Sequence, residues 1–259
     1  MTLLLDHVVV VVPVLDQAIR DFEAGGFVVV PGGEHDAIPT ANALIAFEDG
    51  AYLELLALRD GEARASLELR RSRPGWEADL RRGSAVGRRF LPLLAGAPGV
   101  ADFVLRASPL ARLAGELRRR GVALTGPVPM ARERRDGTRI AWELALPEAT
   151  RHPMLIEDRT PRTLRVPGDP ASTTHRNRAR GVATVRMRVL DLASAALEYA
   201  DFFAGRPRAL PDGTTRIGGF GFDLVLETGT PEGAHAVGIA GAGPLPEAIR
   251  NLGVRAAGD

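Results

Sequence analysis

The sequence contains no cysteine and no lysine. Without cysteine there is no thiol nucleophile, no disulfide framework and no thiolate metal site. Without lysine there is no Schiff-base amine, and the Gly-x-x-x-x-Gly-Lys of a nucleotide P-loop is excluded. The 33 basic residues are therefore all arginine, a bias that fits a GC-rich bacterial genome. An excess of either charge is also missing. With 32 acidic residues against the 33 basic ones the net charge is +1, so no extended phosphate-binding face is implied and nucleic acid is not an expected partner. No apolar run reaches transmembrane length. The amino terminus runs directly into an apolar strand, without the organisation of a signal peptide. A soluble cytoplasmic protein with no membrane partner is the expectation. The 259 residues, 45% of them hydrophobic, allow one large or two small domains with ample core.

What is present is most informative near the start. His7 interrupts an apolar strand in Leu5-Asp6-His7-Val8-Val9-Val10-Val11-Val12, and Glu54 interrupts another in Tyr52-Leu53-Glu54-Leu55-Leu56. Side chains alternate along a strand, so His7 should share a face with Leu5, Val9 and Val11, and Glu54 with Tyr52 and Leu56. An ionisable group there costs several kcal/mol unless a partner or a metal ion compensates it. Two such groups in one short segment point to strands that wall a polar cavity.

Periodicity organises the chain as a repeat. After the first strand, Leu15, Ala18, Ile19 and Phe22 have helical spacing, and Gly25-Gly26 ends that helix. Strands are expected at about 27–31, 41–47 and 52–58, with Glu48-Asp49-Gly50 turning between the last two. This β-α-β-β-β unit spans 3–58. An arginine-rich helical insertion covers 66–94. The pattern returns over 101–158, with a strand at 102–106, a helix at 109–120 and strands near 122–125, 139–146 and 153–157. Asp6-His7-Val8 aligns with Asp102-Phe103-Val104. A Pro/Thr/Arg-rich connector leads to a third, degenerate copy over 175–243, with a strand at 182–189, a helix at 192–204 and short strands at 214–217, 222–227 and 236–240. Residues 244–259 are read as a tail. The fold class is α+β, with paired modules in 1–160 covering each other's open faces as a curled half-barrel.

Several of these segments carry a family resemblance. Leu5-Asp6-His7 before the valine run, Leu15-Asp16-x-Ala18, Gly32-Gly33-x-His35, Thr40-x-Asn42-Ala43-Leu44, Tyr52-Leu53-Glu54 and His175-Arg176-Asn177-Arg178-Ala179 resemble the vicinal-oxygen-chelate superfamily and its glyoxalase-like proteins, relatives of glyoxalases, bleomycin-resistance proteins and extradiol dioxygenases. The resemblance implies a cup that holds a divalent metal, with a first-strand His and a last-strand Glu as ligands. His7 and Glu54 match those positions. The second module departs from the pattern, with Phe103 against His7 and Leu155 or Ile156 near the place of Glu54. A four-ligand site across two modules is therefore absent from the obvious places, although residues of a partner chain in a homodimer could replace the missing ligands.

Imidazole plus carboxylate suits a hard or borderline divalent ion. His35, in a Gly-rich segment read as a loop, is the candidate third ligand or a general base. The cofactor is either a divalent metal (Zn, Ni, Mn or Fe) or none, the alternative being a buried His–Glu pair. Asn42 is a candidate for positioning substrate, and Thr40 for that or for a turn. The resemblance also gives weight to His175 and Asn177, which would close the cup from the third module. His152 is read as peripheral and His235 as non-catalytic. The arginine clusters, Arg88-Arg89 among them, are expected on a solvated surface, and Trp76 and Trp142 in packing. The implied function is that of a metal-dependent lyase or isomerase acting on a small oxygenated substrate, with Glu54 or His35 moving protons. The alternatives are a metal-free protein that sequesters a small ligand and an extradiol-type iron dioxygenase.

Overall fold

The valine run forms β1 (Leu4–Val11), and α1 (Leu15–Ala24), β2 (Val30–His35), β3 (Thr40–Ala46) and β4 (Tyr52–Leu58) complete the first module in a computed structural model that describes residues 3–35, 38–133 and 137–258. The insertion is three helices, α2 (Gly61–Arg71), α3 (Trp76–Arg82) and α4 (Ala85–Leu94). Asp60 and Ser84 start the first and last of them by accepting backbone N–H bonds from Ala63 and Gly87, the usual way an N-cap satisfies an orphan donor. The second module follows as β5 (Gly99–Arg106), α5 (Leu110–Arg119), β6 (Leu124–Glu133), β7 (Arg139–Pro147) and β8 (Met154–Asp158). A connector with a 3-10 turn at Arg162–Leu164 and the short α6 (Pro170–Thr173) leads to β9 (Gly181–Val189), α7 (Leu192–Phe203), β10 (Arg206–Ala209), β11 (Thr215–Gly218) and β12 (Asp223–Thr228). The chain continues through β13 (Gly233–Ala240), α8 (Glu247–Asn251) and β14 (Val254–Ala256).

The strands make an eight-stranded sheet of order β2-β3-β4-β1-β5-β8-β7-β6 and a six-stranded sheet of order β10-β11-β12-β9-β13-β14. The second order reproduces the first six positions of the first. In both, the opening strand pairs in parallel with the last strand of its module and antiparallel with the opening strand of the next. The segment read as a tail is therefore not one. β13, α8 and β14 stand where β5, α5 and β8 stand in the first sheet, as a shortened fourth module. The strand over 233–240 opens that module and does not close the third.

Each β1–β5-type pair carries two register shifts, in β1 between Leu5 and His7 and in β5 between Val100 and Asp102. A bulge adds one residue to one strand and breaks its alternation. Asp6 and Ala101 are the added residues here, which corrects two expectations. Leu5 joins Val8 and Val10 on the back face rather than His7 in the cup. The module alignment also moves by one residue: Val8 corresponds to Phe103, both fully buried on the back face, and His7 corresponds to Asp102. By the same registers Glu54 corresponds to Met154. In the second sheet Thr184 and Val225 hold the places of His7 and Glu54.

The back faces of both sheets share one continuous apolar core with α1, α5, α7 and α8, in which Val8, Phe103 and Leu105 meet Val185, Met187 and Val237. Phe22 of α1 and Leu117 of α5 are buried in it, each worth about 1.5–3 kcal/mol in removal from water. Backbone bonds from Leu5 N–H to the Phe220 carbonyl and from Val100 N–H to the Leu252 carbonyl tie the two sheets together. The concave face of the first sheet is left to form the cup.

Candidate functional site

The concave face of the eight-stranded sheet, roofed on one side by α4, encloses a cup of about 800 Å³ counting the space open at its mouth. His7 and Glu54 lie on its floor, buried but in contact with the cavity. β1 and β4 run parallel with His7 opposite Tyr52 and Val9 opposite Glu54, so the two functional groups are diagonal neighbours on one face. His7 Nε2 stands 3.4 Å from Glu54 Oε2. Asn42, on β3, donates its amide N–H to Glu54 Oε1. Glycine at position 32 makes room for that amide, since a Cβ there would come within 2.0 Å of Asn42 Oδ1.

A second layer fixes the imidazole. Asp6, fully buried, accepts the His7 Nδ1–H at 2.8 Å. The Tyr52 ring stacks on the imidazole with centroids 4.6 Å apart. Arg165, from the connector, donates to both oxygens of Asp6 at 3.0 and 3.1 Å, to both oxygens of Asp158 at 2.6 and 3.0 Å, and to the Tyr52 hydroxyl at 2.8 Å. Arg162 adds a further contact to Asp6 at 3.2 Å. The bulge at Asp6 is what lets consecutive residues serve the same polar cluster.

The electrostatics follow from these contacts. Burial works to raise the Asp6 pKa, but Arg165, His7 and Arg162 outweigh it and hold this carboxyl far below the usual carboxylate range. Burial works to lower His7, and bonding to Asp6 and Glu54 overcomes it and raises the imidazole pKa. Burial likewise opposes ionisation of Glu54, yet His7, His35 and Asn42 bring it down to about 2. Burial lifts Tyr52 well above its ordinary value, so the phenol stays neutral. The floor thus sets an imidazole whose pKa is raised beside an ionised carboxylate, with their outer partners already in place.

His35 is the last residue of β2 rather than part of a loop, and it lines the cup. Its Nδ1 lies 3.0 Å from Thr40 Oγ1. Thr40 also bonds the Ile38 carbonyl, a turn contact, and lines the cup. Asn42 reaches the expected place.

His175 and Asn177 do not. The His175 Nδ1 accepts the Val28 N–H at 2.9 Å and its Nε2 donates to the Ala46 carbonyl at 3.0 Å, with Phe27 and Phe47 edge-on to the ring. Asn177 donates to the Gly25 carbonyl and accepts the Ala179 N–H. Both pin the connector to the end of the first module, away from the cup lining, and so correct the expectation that they close it. Arg89 departs from a solvated surface: it is buried and grips Asp102 through Nε and Nη2 at 2.6 and 2.9 Å. In the second module an arginine–aspartate pair thus fills the position that His7 occupies in the first. His152 is buried against Glu198 at 2.8 Å, between the rings of Phe202 and Phe203, and His235 pairs with Glu227.

Asp6, Arg165 and the cup-facing side of Trp142 were not singled out by sequence as site residues. For Asp6, an acid inside the same apolar strand as His7 was a usable signal. Arg165 had none, because a connector arginine reads as solvated.

The donor set decides how far a metal fits. A catalytic divalent ion usually takes three protein ligands. Here His7 and Glu54 converge, and the Nδ1 of His35 faces Thr40. Among the described residues no three His, Asp, Glu or Cys side chains stand close enough to hold an ion. The described residues fall one donor short of the site implied by the resemblance, so the chemistry below is derived from the side chains alone.

The glyoxalase-like domain family matches residues 5–203 of the chain. A hypothetical protein from Staphylococcus aureus of known structure, 16% identical, superimposes over 92% of this chain and 91% of its own with a TM-score of 0.71, so the same fold extends across both sheets. Methylmalonyl-CoA epimerase from Mycobacterium tuberculosis is 23% identical and aligns over 62% of this chain and 90% of its own, with a TM-score of 0.38. A hypothetical protein from Bacillus halodurans is 12% identical over 61% of this chain and 94% of its own, with a TM-score of 0.38. No curated protein matches the sequence significantly.

Proposed function

The chain belongs to the glyoxalase-like domain family, and on that premise we propose that it is an enzyme that moves a proton on a small oxygenated molecule held in the cup. The observation that carries this reading is the His7–Glu54 pair: a buried imidazole and a buried carboxylate 3.4 Å apart on the floor of a cavity whose opposite wall is mainly apolar. Charge-assisted bonds of this type close to about 2.7–2.9 Å when fully made. The pair is thus loose enough for a substrate oxygen to take the His7 Nε2–H.

In this reading His7 donates to a carbonyl oxygen and stabilises the negative charge that develops there. Asp6 keeps the Nδ1 proton in place, so Nε2 faces the substrate. Glu54 is ionised at neutral pH and accepts the proton from the adjacent carbon. Displacement of His7 toward the substrate removes part of what holds the Glu54 pKa down and makes it a stronger base as substrate binds. His35, at the rim beside Thr40, carries the proton onward to solvent. The product is an enolate or enediolate that collapses by reprotonation, an isomerase outcome, or by expulsion of a neighbouring group, a lyase outcome.

Incubation with enolisable carbonyl compounds in D2O, followed by proton NMR, tests this. Deuterium should enter at the carbon next to the carbonyl, and Glu54→Gln should abolish the exchange while leaving binding in place. Exchange that survives Glu54→Gln overturns the assignment of the base. A compound that binds without exchanging favours sequestration over catalysis.

A further inference from the structure

The cup is divided by polarity along the sheet order. From β2, β3, β4 and β1 come His35, Thr40, Asn42, Tyr52, Glu54 and His7, with Leu44 and Leu56 between them. From β5, β8, β7 and β6 come Val104, Met154, Ile156, Trp142, Leu144 and Met130, and α4 adds Val86 and Phe90. Among the described residues Arg132 is the one charged residue on that side. It lies at the far end of β6 against Gly33 of β2, where a Cβ would come within 2.6 Å of its Nη1, and it has partners of its own. Apart from Arg132, the donors and acceptors among the described lining residues therefore lie on one wall, and the facing wall offers mainly carbon and thioether surface.

The charges on the polar wall also balance. Asp6, Asp158 and Glu54 stand against Arg162, Arg165 and the His7 imidazole. Both arginines stand in ion pairs with acids, and Arg165 has all three of its nitrogens hydrogen-bonded. A carboxylate or phosphate head would thus meet no uncompensated cation on the floor, whereas a neutral acceptor oxygen needs only the His7 Nε2–H. A polyhydroxylated body would leave hydroxyls unbonded against the second-module wall.

We infer that the ligand is a neutral carbonyl compound with a compact apolar body, aryl or branched alkyl. Its oxygen sets against His7 and its body against Met154, Trp142 and Phe90. This deepens the proton-transfer reading, on which the placement of the oxygen rests.

The methionines provide a direct test. The chain has four; Met130 and Met154 line the apolar wall, while Met187 is fully buried in the core between the sheets. Protein labelled with [13C-methyl]methionine is titrated with acetophenone, with benzoate and with dihydroxyacetone. Acetophenone should shift the Met130 and Met154 methyls saturably and leave Met187 in place, with benzoate and dihydroxyacetone at least about tenfold weaker. Met154→Gln should weaken acetophenone binding about tenfold, and Leu144→Thr, on the neighbouring strand, serves the same purpose if that variant does not fold. Equal or tighter binding of benzoate or dihydroxyacetone, or shifts that move Met187 along with the others, overturns the inference. Deuterium exchange at the acetophenone methyl, read from the same samples in D2O, separates the two claims. Binding without exchange upholds the ligand class and defeats proton transfer, while exchange without shifts at Met130 and Met154 does the reverse.

Discussion

Arg165 holds Asp6 through both terminal guanidinium nitrogens, at 3.0 and 3.1 Å, across 159 residues of chain. This bond joins the connector to the first strand and stands directly behind the imidazole that faces the cup. Asp6 is 0% exposed and Arg165 6%, so neither can turn to water if the other is lost.

Arg165→Ala should therefore destabilise the protein by about 3–5 kcal/mol, the cost of leaving a buried charge uncompensated. Arg162, still 3.2 Å from Asp6, should keep the loss at the lower end. Arg165→Lys should recover only part of it, because an ammonium cannot bond Asp6 and Asp158 with the same planar fork. Urea melts of the three proteins measure this; a loss under 1 kcal/mol for Arg165→Ala would show that water reaches Asp6.

The Arg89–Asp102 pair makes a parallel case with a different outcome. It joins α4 of the insertion to β5, and Arg89 also donates to the carbonyls of Pro147, Ala149 and His152. Arg89→Ala should cost about 3–5 kcal/mol by the same reasoning. Arg89→Met combined with Asp102→Leu should restore much of that, since a well-packed apolar pair of similar volume is often as stable as a buried ion pair. A double-mutant cycle with a coupling near zero would mean that the two residues act independently of each other.

How much of this was legible in the sequence depended on which force fixed each feature. The cup floor was legible because His7 and Glu54 violate the apolar pattern of their strands, and a violation at that cost needs a reason. The first three modules were legible through the recurring change from period 2 to period 3.6. The register between modules was not, because the bulges at Asp6 and Ala101 shift the face alternation without changing the apolar pattern. Hence Phe103 was set against His7, where the strands place Asp102. The shortened fourth module was missed because Gly253 interrupts it and β14 has three residues, too few for a periodic signal. His175 and Asn177 were misplaced for a third reason: a polar residue before a strand looks the same in sequence whether it serves a ligand or ties two backbones together.

The bonds of His175 make it a source of acid sensitivity. Its Nδ1 accepts the Val28 N–H, so the folded state requires the neutral ring protonated on Nε2. Burial lowers its pKa, with the Ala46 carbonyl bond working the other way. A histidine with a folded pKa below its unfolded value binds fewer protons when folded, so stability rises with pH across that window. The contribution is complete above about pH 6.5 and is lost as pH falls below it. His175→Gln can keep one acceptor and one donor without titrating. Its stability should fall less between pH 7 and pH 5 than that of the parent protein. His152, also lowered by burial, should leave a residual slope. Identical slopes in the two proteins would show that His175 does not titrate in this range.

The last prediction concerns the pair on the cup floor. Glu54 is held down to about 2 despite burial, with His7 as the largest stabilising partner and His35 and Asn42 behind it. A carboxyl with a depressed folded pKa stabilises the protein above its ordinary value of 4.5, and that contribution disappears as pH falls toward 2. His7→Ala should remove most of it and let the Glu54 pKa rise, because burial then acts with less opposition. The full cost of an orphaned buried charge, about 3–5 kcal/mol, should not appear at pH 7. Asn42 still donates to Glu54, and the open cup admits water to the carboxylate. A loss of about 1–3 kcal/mol is expected instead, shrinking as pH falls from 4.5 toward 2. Glu54→Gln, which keeps an acceptor for both neighbours, should cost less than His7→Ala. Because the donor set among the described residues falls one ligand short, adding zinc, nickel or manganese should stabilise the parent protein no more than His7→Ala. A metal-dependent gain in melting temperature that His7→Ala abolishes would establish a third ligand and reopen the metal site.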